Sequence, residues 1–155
     1  MTYVACDCRE VTPREPGFHD LAREARSEGY GFIDRLDQEW ADGSNRFDRA
    51  GESLLGLIQG GMLVGIGGLN RDPYAGDAET GRIRHLYVRR VWRRTGLATR
   101  LMRELLARSD LIFSRVRLRT DNPQAKRLYE GLGFRPTDEP HATHVRQVRT
   151  AGACR

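Results

Sequence analysis

The stretch Tyr87-Val88-Arg89-Arg90-Val91-Trp92-Arg93-Arg94-Thr95-Gly96-Leu97-Ala98 decides the fold. It follows Ile83 to Val88, an apolar run that reads as a strand, and it opens a helix whose apolar face is Leu97, Leu101, Met102, Leu105 and Leu106. Arg93-x-x-Gly96-x-Ala98 thus places small residues where strand gives way to helix. Small residues let the backbone come close to a ligand, and the free N–H groups of a helix N-terminus point at an anion with the helix dipole behind them. A pyrophosphate suits such a cradle. The spacing is neither the G-x-G-x-x-G of a dinucleotide fold nor the G-K-[ST] of a P-loop, which excludes both readings.

Towards the C-terminus, Val116 and Leu118 alternate with Arg115, Arg117 and Arg119 as in a strand. A strand, helix, strand order makes this strand parallel to the one before it. Asn122 is then a good N-cap, Pro123 a good first helical residue, and Ala125, Leu128, Tyr129 and Leu132 form the apolar stripe before Gly133 ends the helix. The tail from His141 to Val148 can add one last strand. Towards the N-terminus, Leu54 to Gln59 and Met62 to Leu69 are joined by Gly60-Gly61, a hairpin whose turn needs positive φ. Before it come a strand from Tyr3 to Arg9 and two helices, with faces Phe18, Leu21, Ala22, Ala25 and Phe32, Ile33, Leu36, Trp40. Ala41 to Glu52 and Asn70 to Thr80 read as loops.

The bulk numbers fit one domain spanning 1–155. A chain of 155 residues, 39% hydrophobic and 30% charged, is apolar enough to bury a core and too apolar for disorder. The net charge of +5 comes from arginine, Lys126 being the only lysine. Eight arginines and no acidic residue lie between Arg82 and Arg103, a local field suited to a phosphorylated ligand or a nucleic acid. Base-stacking aromatics are few among them, only Tyr87 and Trp92, which places nucleic acid last among the partners. Cys6, Cys8 and Cys154 make no disulfide framework and no zinc spacing. With no export signal and no apolar run of membrane-spanning length, a cytoplasmic chain is expected.

The Arg93 to Ala98 segment resembles the acetyl-CoA-binding motif of the GNAT superfamily of N-acetyltransferases, R/Q-x-x-G-x-G/A. Asn122 to Phe134 is similar to that family's N-x-x-A-x-x-x-Y-x-x-x-G-F segment. The resemblance implies an α+β fold, a mixed and mostly antiparallel twisted sheet of about 6–7 strands flanked by about 4 helices, with two central parallel strands splayed at the cofactor site. It also implies transfer of acetyl from acetyl-CoA to a primary amine by direct attack, the acceptor being a small-molecule or peptide amine. Leu86, Tyr87 and Val88 would offer backbone groups to the pantetheine arm. Arg93, Arg94, Thr95, Gly96, Leu97, Ala98 and Thr99 would cradle the pyrophosphate. Asn122 would contact the pantetheine or phosphate part, or only cap its helix, and Tyr129 would protonate the leaving thiolate, or only pack.

One departure from the family stands out. Many relatives carry a glutamate six residues before the valine equivalent to Val88, where it acts as general base, and here Arg82 occupies that position. Glu79 and His85 lie an odd number of residues away, so only a bulge in the strand would bring them to the same face. A cation at 82 points to an acceptor that also carries a carboxylate or phosphate, and the missing glutamate keeps a non-catalytic acyl-CoA sensor open as the alternative. His144 is either a base or substrate contact or a satisfied core histidine. A metal is not expected, and a homodimer stays open.

Overall fold

The computed structural model describes residues 6–148. Seven strands form one sheet: β1 (Asp7–Glu10), β2 (Ser53–Gln59), β3 (Met62–Arg71), β4 (Thr80–Val88), β5 (Arg115–Leu118), β6 (Arg135–Pro136) and β7 (His144–Gln147). Their order across the sheet is β1-β2-β3-β4-β5-β7-β6, and only β4 and β5 run parallel. Four helices flank it: α1 (Phe18–Ser27), α2 (Phe32–Asp42), α3 (Leu97–Asp110) and α4 (Pro123–Gly131). This is the mixed α+β arrangement expected. No described helix is long and apolar enough to cross a membrane.

The β2–β3 hairpin turns on Gly60 and Gly61, both at positive φ (57° and 78°), as its sequence required. The expected strand at 83–88 begins earlier, at Thr80, and β6 is an addition too short to carry a periodic signal. The N-terminal strand expected from Tyr3 is seen from Asp7 onward. Residues 3–5 and Cys154 lie outside the described residues. Two apolar layers sandwich the sheet. On one face Leu101, Met102 and Leu105 of α3 pack against Leu55, Leu57, Ile83 and Val88. On the other, Phe18, Leu21, Ile33 and Leu36 of α1 and α2 pack against Leu54, Leu63 and Ile66. Each such fully buried aliphatic side chain contributes roughly 1.5–3 kcal/mol. The sheet is therefore held from both sides, and its strands can diverge locally without unfolding.

They diverge at β4. Ile66 faces Tyr87 across the β3–β4 ladder and Gly68 faces Arg84, so β4 carries one extra residue between them and His85 takes a positive φ of 61°. This bulge rotates the strand. Ile83 and Leu86, three residues apart, both pack on the α3 side. Arg84 reaches Glu39 of α2, and the His85 ring lies 6.3 Å from Phe32 and 6.1 Å from Phe47. A regular strand would have sent His85 to the opposite face from Arg84. Both ring nitrogens of His85 are buried without a hydrogen-bond partner, and the Phe32 backbone approaches the ring without reaching hydrogen-bond geometry. Burial, reinforced by the positive charges of Arg84 and Arg35, lowers its pKa to about 3.

A histidine kept neutral in the fold but free to protonate near ~6.5 when unfolded makes stability fall as the pH drops through that window. The expected slope between pH 6.5 and 5 approaches ~1.4 kcal/mol per pH unit for this residue alone. His85→Leu should flatten that part of a pH series of denaturant unfolding curves relative to the parent. Equal slopes in the two proteins would mean that the imidazole is not held neutral.

Candidate active site

The segment between β4 and α3 begins with a single 3-10 turn, Arg90–Trp92, and passes through two residues at positive φ, Arg94 (62°) and Gly96 (81°). Among the described residues, the backbone N–H groups of 94–99 donate to no acceptor. Regular helical bonding of α3 begins with Arg100 N donating to Gly96 O at 3.0 Å. Gly96 is the N-cap, no side chain caps it, and no acidic residue occupies the first turn. The positive end of the helix, equivalent to about half an elementary charge, is therefore left bare. Gly96 is exposed and a Cβ built on it meets nothing within 4 Å, so this end of α3 is open to solvent. Thr95 contributes by folding inward, its hydroxyl donating to Trp92 O at 2.5 Å.

The arginines of this segment do not all face the open end of α3. Arg93 turns away to α1, donating to Glu28 at 2.6 and 3.0 Å and, through Nε, to Val88 O at 2.9 Å, with its guanidinium 5.2 Å from the Tyr87 ring centre. The bidentate pair holds the Glu28 carboxyl near a pKa of about 2. Glu24, one helical turn earlier, accepts from Arg90 N at 2.9 Å and lies 3.4 Å from Arg89. The Tyr87 hydroxyl sits between the two glutamates, and burial together with these carboxylates pushes its pKa up. Glu24 and Glu28 thus anchor the loop to α1, and Arg94 is left without an ion pair among the described residues. Sequence reasoning missed this clamp. Its signal was present, two glutamates four apart on the polar side of α1, but nothing local said what they faced.

Beside the loop the sheet opens. The parallel pairing of β4 with β5 covers only Thr80, Gly81 and Arg82 against Arg115, Val116 and Arg117. Beyond it β4 runs six more residues, while the chain after β5 leaves for α4, so one edge of residues 83–88 is unpaired with β5. Leu86, Tyr87 and Val88 flank this gap, although the Val88 carbonyl is already occupied by Arg93. Asn122 stands across it. Its Oδ1 caps α4 by accepting from Gln124 N (2.8 Å) and Ala125 N (3.3 Å), and its Nδ2 donates to the Tyr30 hydroxyl at 3.1 Å. Tyr129, two turns along α4, is buried against Phe134. Burial alone pushes its phenol up to about 12, so it stays protonated at any ordinary pH.

Arg82 and His144 are the two substrate candidates, and the structure gives each an internal partner. Arg82 is buried, donating to Asp72 Oδ2 at 3.2 Å and to His141 O at 2.7 Å. Its ladder partner Arg117 donates to the same Asp72 oxygen at 2.8 Å. His144 is also buried, bonded to Thr143 Oγ1 through Nδ1 and to Glu130 Oε2 through Nε2, each at 2.9 Å, and so it ties β7 to α4. On the α2 side of β4, a groove of about 250 Å³ lies between α2, the loop that follows it and the far end of β3, with Arg84 in its wall.

Known proteins share this fold. A crystal structure from Exiguobacterium sp. 255-15, provisionally assigned as an acetyltransferase, superposes with a TM-score of 0.83 at 25% identity, covering 93% of this chain and 94% of that one. Ard1 from Thermoplasma volcanium shares the fold at a TM-score of 0.68 and 24% identity, over 95% of this chain and 100% of that one. A GNAT-family acetyltransferase from Streptococcus pneumoniae does so at 0.66 and 16%, over 94% and 100%. No curated protein matched at the level of sequence. The profile of the Acetyltransferase (GNAT) family matches residues 16–134, which take in α1, α2, the hairpin, the loop and both parallel strands. The chain belongs to the GNAT acetyltransferase family.

Proposed function

We propose that this chain transfers the acetyl group of acetyl-CoA to a primary amine, by direct attack with both substrates bound. The observation that carries the reading is the run of unaccepted N–H groups at 94–99, at the bare positive end of α3 and next to the gap between β4 and β5. A pyrophosphate satisfies these donors and gains from the dipole, whereas a neutral ligand leaves them unpaired. Acetyl-CoA supplies an acyl group already activated as a thioester. Gly96 keeps the approach open, Arg94 adds positive charge, and the unpaired edge of Leu86 to Val88 offers backbone groups to the amide-rich pantetheine arm. Asn122, already engaged with Tyr30 and the α4 N-terminus, closes the far side of the gap.

Tyr129 supplies the proton. Its phenol, held neutral by burial, is available to the departing sulfur without being lost to ionisation. Abstraction of a proton from the amine has no such assignment. Arg82 stands where relatives carry a glutamate, and His85, its pKa near 3, is too weak a base at neutral pH. These two features favour the second reading, a fold that binds acyl-CoA as a sensor without turning it over.

Release of free thiol from acetyl-CoA, measured across a panel of primary amines, separates the two. Transfer predicts release with at least one amine class, and Tyr129→Phe lowers kcat by up to ~10²-fold while acetyl-CoA affinity is little changed. The parent should show no loss of rate from phenol ionisation until the pH nears 12. A flat panel with tight acetyl-CoA binding would establish the sensor instead. Unchanged kcat in Tyr129→Phe, where chemistry limits turnover, would reduce Tyr129 to a packing residue.

A further inference from the structure

Arg84, half-buried, differs from Arg82 and Arg117, the buried arginines of β4 and β5. Arg82 and Arg117 share Asp72, with donor distances of 3.2 and 2.8 Å. Arg84 is also largely withdrawn from water, its side chain 19% exposed, yet its nearest acidic partner is Glu39 at 3.8 Å, beyond hydrogen-bond reach. Glu39 is itself taken by Arg35, whose Nε donates to it at 2.9 Å. No hydrogen bond accepts from the Arg84 guanidinium among the described residues. The Arg84 N–H groups are thus held only by a loose ion pair and remain accessible from the solvent side, so an anion arriving there gains charge-assisted hydrogen bonds without breaking any the fold has made.

The surroundings identify the ligand. Arg84 forms part of the wall of the 250 Å³ groove beside α2, which is lined by five arginines and three carboxylates. One of those carboxylates, Glu52, is turned inward, accepting from Arg71 N at 2.9 Å and Asn70 Nδ2 at 3.0 Å. What the groove presents to a visitor is therefore positive, with a planar fork of donors at its inner wall. That fork matches a carboxylate bidentately. Arg84 stands two residues past Arg82, where pairing with β5 ends, and about two strand residues, ~7 Å of backbone, before Leu86 in the gap. The distance suits a compact molecule carrying both an amine and an anionic group.

We infer that the acceptor amine bears a carboxylate or another small anionic group, and that Arg84 receives it in this groove. The inference rests on the reading of the chain as an amine acetyltransferase. It moves the selecting cation from Arg82, which Asp72 and the His141 carbonyl already hold, to Arg84. Arg35 on the rim acts with it, by keeping Glu39 away from the Arg84 guanidinium.

The test compares amines matched in all but the anion: amino acids against their amides, and phosphoethanolamine against ethanolamine, each at equal free-amine concentration. The anionic member should be preferred by about tenfold or more in kcat/KM, through KM, and Arg84→Gln should remove most of that preference. Arg35→Gln, on the exposed surface of α2, should weaken it too, and its fold is not at risk. The two pairs distinguish a carboxylate site from a phosphate site. Binding of succinate, which has no amine, is measured by calorimetry with coenzyme A saturating, and should be present in the parent and absent in Arg84→Gln. Equal or better use of the amides and ethanolamine, or an anion preference that survives both substitutions, overturns the inference and leaves the transferase reading intact. Succinate binding that depends on Arg84, with no thiol released from any amine, does the reverse.

Discussion

At the last rung of the parallel pair, two arginines stand side by side and one carboxylate oxygen holds both. Arg82 and Arg117 are ladder partners on the same face of the sheet, and their like charges would separate β4 from β5 if Asp72 did not lie between them. Asp72 is fully buried, and its carboxyl is kept below the usual carboxylate range, the cost of its burial being outweighed by Arg117, the Tyr74 amide and Arg82. Loss of one member of such a group costs ~3–5 kcal/mol, because the charges left behind have no solvent. Glu139 extends the network to Arg117 and Arg115, and Tyr74 stacks on His141 while Arg82 lies over it. The 72–80 loop and the 137–143 loop are thereby fastened at the point where the strands separate. The gap and the bare end of α3 beside it are positioned from this rung.

Above the rung the chain uses two further devices, both electrostatic. The β4 bulge turns Arg84 and His85 to one side, which gives the α2 face a cation and a neutral imidazole in succession. Glu24 on α1 and Glu28 at its C-cap draw Arg89, Arg90 and Arg93 towards α1. Exposed ion pairs of this kind contribute little to stability, typically ~0–1 kcal/mol each. Their effect is geometric. They fix the loop so that its amides, rather than its guanidinium groups, line the opening, and preorganised amides lose less entropy on meeting a ligand than long side chains would.

Much of this was legible in the chain. The Gly60-Gly61 hairpin, the α3 stripe, the Asn122-Pro123 helix start and the strand, helix, strand order each come from local rules, and together they were enough to give the sheet and its parallel pair. Cys6 and Cys8 both pack on the α3 side of the sheet, Cys6 buried and Cys8 partly so. The site was legible at its backbone and much less so at its side chains. Arg93 is in the expected loop, but its guanidinium belongs to Glu28, 65 residues away in sequence. Arg82 looked like a free cation because Asp72 lies in a stretch that read only as a loop. The register change at His85 could be named as a condition but not located, since a bulge adds a residue without altering the composition of the strand. In each case what decides lies in another element or loop, and periodicity within the strand carries no information about it.

We propose that the amides of 94–99, left unpaired by the fold, receive the pyrophosphate of the acyl donor. Backbone amide shifts followed by NMR during a titration with acetyl-CoA test it most directly, because each N–H reports for itself. The largest changes are expected on Arg94, Thr95, Gly96, Leu97, Ala98 and Thr99, and these amides should gain protection from hydrogen exchange in the complex. Binding that leaves these six unchanged while shifting amides elsewhere would contradict it.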